Sequence, residues 1–322
     1  MRPVVWTEVP LAPGAASRLA AVAEVVLDAT GELLAGADVA IIGGAVVDAT
    51  FLTRAGPGLK MVVRHGIGYD RVDVPACTAR GVLAANTPDG PTDSTAEHAV
   101  TMVLALAKRI QRSGASLRDG ERPSRLDLQG TEVRGRTLGV VGFGRVGRRV
   151  SEMCALGLGM RVLVHDPFAR DAAARCAWVE DVGSLDVLLA TSDFVTLHTP
   201  LSPATTRLIG ERELRLMKPG SYLVNVSRGP VVDEAALIRA LRDGHLAGAG
   251  LDVFDPEPPD IANPLLGMVE VIVTPHVGSN TAAGIARMSD AVVDQILELL
   301  AGQRPISLID EEAWPGRAGA GP

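Results

Sequence analysis

A glycine motif in the middle of the chain constrains its fold more than any other feature. Gly142, Gly144 and Gly147 follow the apolar run Leu138–Val141 and precede a segment of helical character that extends to about Leu156. When a strand runs through such a motif into a helix, the first glycine permits the tight turn, the second lets a pyrophosphate approach the backbone, and the third lets the helix pack closely. The N–H groups at the start of the helix attract the phosphates. The motif therefore predicts a dinucleotide-binding Rossmann unit.

The residue after the next predicted strand bears on which dinucleotide binds. Asp166 follows the strand Arg161–His165. At that position a carboxylate can accept hydrogen bonds from the adenosine ribose hydroxyls, and it would repel a 2′-phosphate. Asp166 therefore favours NAD over NADP, while Arg170, which lies close in sequence, leaves dual specificity open.

Short β-branched runs alternate with Ala- and Leu-rich stretches along the chain, which is typical of parallel α/β architecture. Because the glycine motif begins only at residue 142, a second α/β unit must precede it. The predicted strands are Val39–Ile42, Leu59–Arg64, Leu138–Val141, Arg161–His165, Phe194–His198, Tyr222–Val226 and Val271–Thr274.

Composition and charge exclude several classes of function. The net charge of −7 and the pI near 5.4 argue against a nucleic acid or an anionic membrane as partner, since both require clustered Lys and Arg. The apolar run Ala99–Ala107 is far shorter than the roughly 20 residues that span a bilayer. The N-terminus lacks the apolar core of a signal peptide, so we expect a cytoplasmic protein that acts on a small soluble molecule.

The three cysteines lack the paired spacing of a zinc or redox site. Cys77, Cys154 and Cys176 are therefore expected to be buried reduced thiols, and no metal site is expected. The stretch Gly316–Pro322, rich in Gly, Ala and Pro, is expected to be a frayed tail without a function of its own.

Polar residues stand where further strands should end. Arg228, Asp252, Glu257 and His276 each lie in a block that contains or follows a strand-like run. In an open doubly wound sheet, ligands bind outside the carboxyl ends of the strands. These four side chains are therefore expected to converge on one crevice.

Over almost its whole length the sequence resembles the D-isomer-specific 2-hydroxyacid dehydrogenases, in particular short members similar to phosphoglycerate and glycerate dehydrogenases. The motifs that carry the resemblance, beside the glycine motif, are Gly66–Asp70, Ala96–His98, His198–Leu201, Ser227–Glu234, Asp252–Phe254, Glu257–Pro258 and Pro275–His276.

The resemblance implies an active site formed by Arg228, Glu257 and His276. Reduction of a 2-oxo acid requires a hydride from the nicotinamide and a proton for the new alkoxide, which an imidazolium can donate near neutral pH. His276 is the expected acid, and the Glu257 carboxylate would favour its charged form. The planar guanidinium of Arg228 would bind the substrate carboxylate and polarise the adjacent carbonyl.

The resemblance also implies the residues that line the two ligands. The loop Gly66–Gly68 is expected to direct N–H groups at the substrate carboxylate. The expected substrate-binding residues are Arg64, His65, Gly66, Ile67 and Gly68. The expected cofactor-binding residues are Gly142, Gly144, Arg145, Val146, Gly147, Asp166, Thr199, Val226, Ser227, Asp252, Gly278 and Ser279, and the expected cofactor is NAD.

The implied architecture is two parallel-sheet α/β domains, Rossmann-like or flavodoxin-like, with an active-site cleft between them. Residues 1–97 and 282–322 would form the substrate-binding domain, and residues 98–281 the NAD-binding domain. The resemblance further implies a homodimer. Because the chain stops at residue 322, no C-terminal regulatory extension is expected.

Two questions stay open at this point. Around Gly43–Val47 we find no cluster of Arg, Lys, Ser or Thr that would seat a substrate phosphate, although Arg54 and Arg64 are near, and this favours an unphosphorylated acid. The alternative function is an NAD(H)-sensing binding protein, because certain transcriptional corepressors share this scaffold and the same Arg/Glu/His set.

Overall fold

The computed structural model describes residues 2–314, so the predicted tail Gly316–Pro322 lies outside the described residues. Within that range, no helix combines the length and the apolar character needed to cross a membrane.

The described chain divides into two compact units. The first contains the residues up to Thr92 and those from Asn280 onward, and the second contains Asp93–Ser279. The sequence-based division placed the boundaries after residues 97 and 281, and its assignment of a substrate-binding and an NAD-binding domain stays a prediction.

Strands and helices alternate through both units. The strands are β1 Val4–Thr7, β2 Glu24–Leu27, β3 Val39–Ile42, β4 Met61–Arg64, β5 Leu83–Ala85, β6 Thr137–Val141, β7 Arg161–His165, β8 Glu180–Asp181, β9 Phe194–Leu197, β10 Ser221–Asn225, β11 Leu246–Leu251 and β12 Val271–Val273. The α-helices are α1 Pro13–Val22, α2 Ala49–Ala55, α3 Val74–Ala79, α4 Thr92–Ala107, α5 Ile110–Arg118, α6 Arg145–Glu152, α7 Arg170–Ala174, α8 Leu185–Thr191, α9 Glu211–Leu216, α10 Glu234–Arg242 and α11 Ala282–Leu300.

The first unit contains a five-stranded sheet in the order β2-β1-β3-β4-β5, and every pairing in it is parallel. Its strands are short and apolar: all four residues of β3 are buried, as expected for a parallel strand covered on both faces. Helices α1 and α11 pack against each other on one side, where Val292, Val293 and Ile296 of α11 join the core. Trp6 and Phe51 belong to the core on the other side.

The second unit contains a seven-stranded parallel sheet in the order β12-β11-β10-β9-β6-β7-β8. The order reverses at β6, the strand before the glycine motif, as in dinucleotide-binding sheets. The predicted fold class is therefore confirmed for both units.

The register of the second sheet aligns the ends of six strands. Six residues, one from each strand, lie opposite one another at the carboxyl ends of the strands. The one or two residues that follow each of them therefore lie along that same edge of the sheet. The six residues are His165, Val141, Leu197, Asn225, Leu251 and Val273.

All seven predicted strands exist, with ends that differ by at most two residues, but the sequence did not predict β1, β2, β5, β8 or β11. The sequence of β11, Leu-Ala-Gly-Ala-Gly-Leu, has low strand propensity. Its glycines are required by neighbours, since a Cβ at Gly248 would lie 2.5 Å from the carbonyl oxygen of Glu270, and one at Gly250 would lie 3.0 Å from Cβ of Met102. Packing, which a local pattern does not reveal, selects glycine there.

The cysteines are free thiols, and two of the three are buried as expected. Burial raises the pKa of Cys154 to about 12, and burial, followed by the nearby Asp73 carboxylate, raises the pKa of Cys77 to about 11. The prediction of a buried thiol was wrong for Cys176, which is partly exposed near the end of α7.

Candidate active site

The glycine loop after β6 forms a cradle that requires glycine at its first and third positions. Gly142 has a φ of +92°, and a Cβ on it would lie 2.8 Å from the carbonyl of His198. A Cβ on Gly147 would lie 2.0 Å from the carbonyl oxygen of Gly142. Gly144 differs, because beyond its own chain neighbours no described atom lies within 4 Å of the position its Cβ would take. The backbone at Gly144 is therefore accessible to a ligand at the start of α6.

The carboxylate of Asp166 connects this loop to the end of β7. Its Oδ2 accepts a hydrogen bond from the N–H of Phe143 over 2.8 Å, and its Oδ1 accepts one from the N–H of Phe168 over 2.8 Å. Asp166 thus fixes the glycine loop while placing a negative charge beside it.

The hydroxyl of Thr199 is buried and has no hydrogen-bond partner among the described residues. Its backbone lies next to the glycine cradle, since a Cβ on Gly142 would be 3.0 Å from the Thr199 nitrogen. A buried hydroxyl without a partner is uncommon in a folded protein. Together with the accessible backbone at Gly144, it fits a site that a bound dinucleotide completes.

Asn225, which the sequence analysis did not single out, shapes the loop after β10. This buried side chain accepts hydrogen bonds through Oδ1 from the N–H and the hydroxyl of Ser227 (3.0 and 2.8 Å) and donates through Nδ2 to the carbonyl of Arg228 (2.8 Å). Arg228 Nη1 in turn donates to the carbonyl of Ser227 over 2.7 Å. Gly229 packs against the next loop, because a Cβ there would lie 2.0 Å from the carbonyl oxygen of Phe254. The Arg228 loop is therefore shaped by its own strand end and by the strand end beside it.

Glu257 and His276 form a pair beyond the ends of β11 and β12. Nδ1 of His276 lies 2.6 Å from Oε1 of Glu257, and both side chains remain partly exposed. No described residue hydrogen-bonds to Nε2 of His276. A carboxylate on one ring nitrogen fixes the tautomer and leaves the other nitrogen for proton transfer.

The segment around His276 is held by the buried carboxylate of Asp252. Its Oδ1 accepts hydrogen bonds from the Thr274 hydroxyl (2.6 Å) and the Val277 N–H (2.8 Å), and its Oδ2 accepts one from the Gly278 N–H (2.8 Å). His98 Nε2 lies 3.0 Å from the Thr274 hydroxyl and 3.5 Å from Oδ1 of Asp252. Burial acts to raise the pKa of Asp252, yet these hydrogen bonds outweigh burial and hold the pKa below its usual value.

Neither His98 nor Glu234 was predicted as a site residue. His98 lies in the motif Ala96–His98, one of those that carry the family resemblance, but it was not among the expected site residues. Glu234 anchors the segment before Glu257, since its Oε1 accepts from the N–H of Asp255 (2.7 Å) and its Oε2 from Nδ2 of Asn263 (2.9 Å). The motif Ser227–Glu234 was the available signal for Glu234.

The predicted substrate loop lies in the first unit. Gly66 has a φ of 148°, and its N–H donates to the hydroxyl of Thr87 over 2.8 Å. Nδ2 of Asn86 donates to the carbonyl of Ile67 over 2.8 Å. No described residue accepts a hydrogen bond from the N–H of Ile67 or Gly68. The loop is thus held in place while two of its N–H groups face no acceptor within the described chain.

Arg64 and His65, which were also predicted to bind substrate, have polar contacts with other groups of the chain. Arg64 Nη1 donates to the carbonyl of His65 over 2.6 Å, and Nε2 of His65 lies 3.1 Å from the hydroxyl of Ser289 on α11. Burial and, secondarily, the Arg64 charge lower the pKa of His65 to about 4. The His65 ring is therefore neutral near pH 7.

Residues 2–314 contain no group of three or more His, Cys, Asp or Glu side chains placed to hold a metal ion.

Comparison with known proteins shows which family this chain resembles. Residues 100–278 match the profile described as D-isomer specific 2-hydroxyacid dehydrogenase, NAD binding domain. A glyoxylate reductase of Korarchaeum cryptofilum is 40% identical over 263 residues, which cover 80% of this chain and 78% of that protein. A D-3-phosphoglycerate dehydrogenase of Mycobacterium bovis is 44% identical over 257 residues, or 80% of this chain, and the match spans only 48% of that longer protein.

A solved structure matches over nearly the full length. The D-lactate dehydrogenase of Aquifex aeolicus, crystallised with NAD and lactic acid, aligns with a TM-score of 0.85 and 30% identity. The alignment covers 95% of this chain and 98% of that one.

Proposed function

Because the chain belongs to the D-isomer specific 2-hydroxyacid dehydrogenase family, we propose that it interconverts a small 2-oxo acid and the corresponding D-2-hydroxy acid by hydride transfer. As a member of this family it is an oxidoreductase, and its cofactor is NAD. The observation that carries the mechanism is the 2.6 Å contact between Nδ1 of His276 and Oε1 of Glu257, at the sheet edge that also bears the glycine loop.

The cradle Gly142–Gly147, the Asp166 carboxylate and the Thr199 hydroxyl would hold the cofactor. When bound as NADH, it supplies the hydride that adds to C2 of the oxo acid. Arg145, Val146, Val226, Ser227, Gly278 and Ser279 remain predicted contacts of the cofactor, and all follow strands of the second sheet.

His276 would supply the proton that balances this hydride. Glu257 accepts from Nδ1–H, so a second proton on the ring resides on Nε2, and the carboxylate stabilises the resulting imidazolium. In reduction, Nε2–H donates to the developing alkoxide oxygen at C2. In oxidation, neutral Nε2 accepts the hydroxyl proton as the hydride leaves C2.

Arg228 would orient the acid. Its guanidinium is held against the Ser227 carbonyl by the Asn225-shaped loop, and its fork of donors matches a carboxylate. The N–H groups of Ile67 and Gly68, in the first unit, remain predicted contacts of the substrate carboxylate. The predicted substrate loop therefore lies in the first unit, whereas Arg228 and the predicted cofactor-binding residues lie in the second.

The main role that we propose for Asp252 is to hold the backbone around His276. With the three hydrogen bonds described above, His98 beside it and almost no exposed surface, it holds the His276 segment. Its expected contact with the cofactor stays a prediction.

Two finer expectations are part of the proposal. The first is a homodimer: Ile110 and Leu117, two turns apart on α5, and Leu126 are exposed apolar side chains that a second copy could cover. The second is a cytoplasmic location, which stays a prediction.

The NAD(H)-sensing alternative is not supported by the comparisons; the three relatives described above are named as a reductase and two dehydrogenases.

The test is loss of NADH absorbance with a panel of glyoxylate, hydroxypyruvate, pyruvate, bulkier 2-oxo acids and phosphohydroxypyruvate, with NADPH run in parallel. We expect turnover of a short unphosphorylated acid and a preference for NADH. Tight NADH binding without turnover of any acid would contradict the dehydrogenase proposal and favour the sensing alternative.

A further inference from the structure

Three backbone N–H groups in the first unit hold a carboxylate of the chain itself. Gly43, Gly44 and Ala45 follow β3, and their N–H groups donate to Oε2 of Glu8 over 2.6, 2.9 and 3.0 Å. Consecutive N–H groups that converge on one point form an anion-binding nest. The negatively charged Glu8 carboxylate therefore occupies three N–H donors that are suited to binding a phosphate oxygen.

Two arginines contact the same stretch of backbone. Arg71 Nη1 donates to the carbonyl of Gly44 over 3.0 Å, and Arg64 Nη1 lies 3.4 Å from the carbonyl oxygen of Ile42. Beside the nest, these guanidinium groups would favour an external anion. The Glu8 carboxylate offsets their charge and blocks the donors.

The nest lies at the edge of the sheet that carries the predicted substrate loop. Thr7, Ile41 and Val63 are in register across β1, β3 and β4. Glu8, the nest and Gly66–Gly68 therefore follow carboxyl ends of neighbouring strands. Glu8 and Ala45 also line a cavity of about 350 Å³.

We propose that Glu8 determines which acids this protein accepts, by occupying the nest and excluding 2-oxo acids that carry a phosphate. The substrate is then an unphosphorylated acid. This inference rests on the proposed dehydrogenase function for its substrate, but the anion-binding property of the nest can be tested without any turnover.

The first experiment measures binding of inorganic phosphate. Thermal unfolding of the full chain is compared with and without phosphate, at ionic strength matched with chloride, for the wild type, Glu8→Ala and Glu32→Ala. Glu32 is exposed in the same unit, so its variant controls for the loss of one negative charge. We expect phosphate to raise the Tm of Glu8→Ala more than that of the other two proteins. An equal shift in all three would overturn the proposal, whatever the activity.

The second experiment compares phosphohydroxypyruvate with hydroxypyruvate. In Glu8→Ala the ratio of their kcat/KM values should rise about tenfold or more, the size expected for one charge-assisted interaction. Glu8→Gln keeps an acceptor oxygen for the three N–H groups and removes the charge, so it should fold even if Glu8→Ala does not, and it should raise the ratio by a smaller factor. A ratio equal to that of the wild type in a folded variant would overturn the proposal. If the wild type reduces no acid, the dehydrogenase proposal fails, and the phosphate experiment alone decides whether the nest binds anions.

Discussion

Asp252 holds the backbone of His276, whose N–H donates to the carbonyl oxygen of Asp252 over 2.7 Å. His276 has a φ of 53°, in the left-handed region that residues other than glycine rarely adopt. The Asp252 carboxylate also binds the N–H groups of Val277 and Gly278. The backbone conformation that presents the imidazole to Glu257 thus depends on a buried carboxylate from the neighbouring strand.

Thr274→Val should therefore impair both stability and catalysis. It removes the hydroxyl that donates to Asp252 and contacts His98, so the free energy of unfolding should fall by about 1–3 kcal/mol. We expect kcat to fall more than NADH affinity, with recovery in Thr274→Ser. The control is Thr101→Val, whose hydroxyl bonds to the Glu97 carbonyl on the exposed side of α4. If denaturant unfolding and kcat match between the two valine variants, the positioning role is wrong.

His276→Gln should abolish most turnover while leaving NADH affinity unchanged. General acid–base catalysis contributes about 10²- to 10⁴-fold, and kcat should fall by that order. His245→Gln is a suitable control, because that ring contacts the Leu214 carbonyl elsewhere in the second unit. Steady-state kinetics and NADH fluorescence titration measure the two quantities. Activity of His276→Gln near the wild-type level would exclude His276 as the proton donor.

Glu257→Gln should lower kcat for reduction by about 10- to 100-fold, the equivalent of one charge-assisted hydrogen bond. The amide oxygen can still accept from Nδ1–H of His276, so the tautomer is retained, but the imidazolium loses its counter-charge. A matched control is Glu270→Gln. The role of Glu257 would be refuted if the two glutamine variants reduced the substrate equally well.

Asp166→Ala should reduce the preference for NADH over NADPH. The carboxylate that would repel a 2′-phosphate is lost, and the N–H groups of Phe143 and Phe168 become available to an anion. We expect the ratio of kcat/KM for NADPH to that for NADH to rise about tenfold or more. Asp171→Ala, an exposed substitution on α7, is the control. An unchanged ratio would show that Asp166 does not select the cofactor.

Stability should fall as the pH is lowered from about 7.5 to about 5. Burial lowers the pKa of His198 to about 3, and the pKa of His65 is about 4. The unfolded chain takes up these protons below about pH 6.5 while the folded chain does not, so acid favours unfolding. Because both rings keep some exposure, each contributes less than the limiting value of about 1.4 kcal/mol per pH unit. Urea unfolding of His198→Asn should show a weaker pH dependence than the wild type, and an equal dependence would contradict this assignment.

Local sequence determined the parts of this protein that depend on backbone geometry and short-range pattern. Gly142, Gly144 and Gly147 predicted the cradle because a tight turn, an accessible backbone and close helix packing each require a glycine at a fixed spacing. Apolar runs such as Val39–Ile42 predicted buried parallel strands, and the fold class followed from their alternation with helices.

Only the tertiary structure decided which distant groups meet. His276 and Glu257 were expected together from motifs, but the support from Glu234, His98 and Thr274 comes from elements that are distant in sequence, which no local pattern encodes. The glycines of β11 are explained by Glu270 and Met102, which approach from other elements. Likewise, nothing near Gly43 in the sequence indicated that the Glu8 carboxylate accepts hydrogen bonds from the N–H groups of Gly43, Gly44 and Ala45. Hydrogen bonds and close packing act over a few ångströms in space, and the folded chain alone determines which residues are that close.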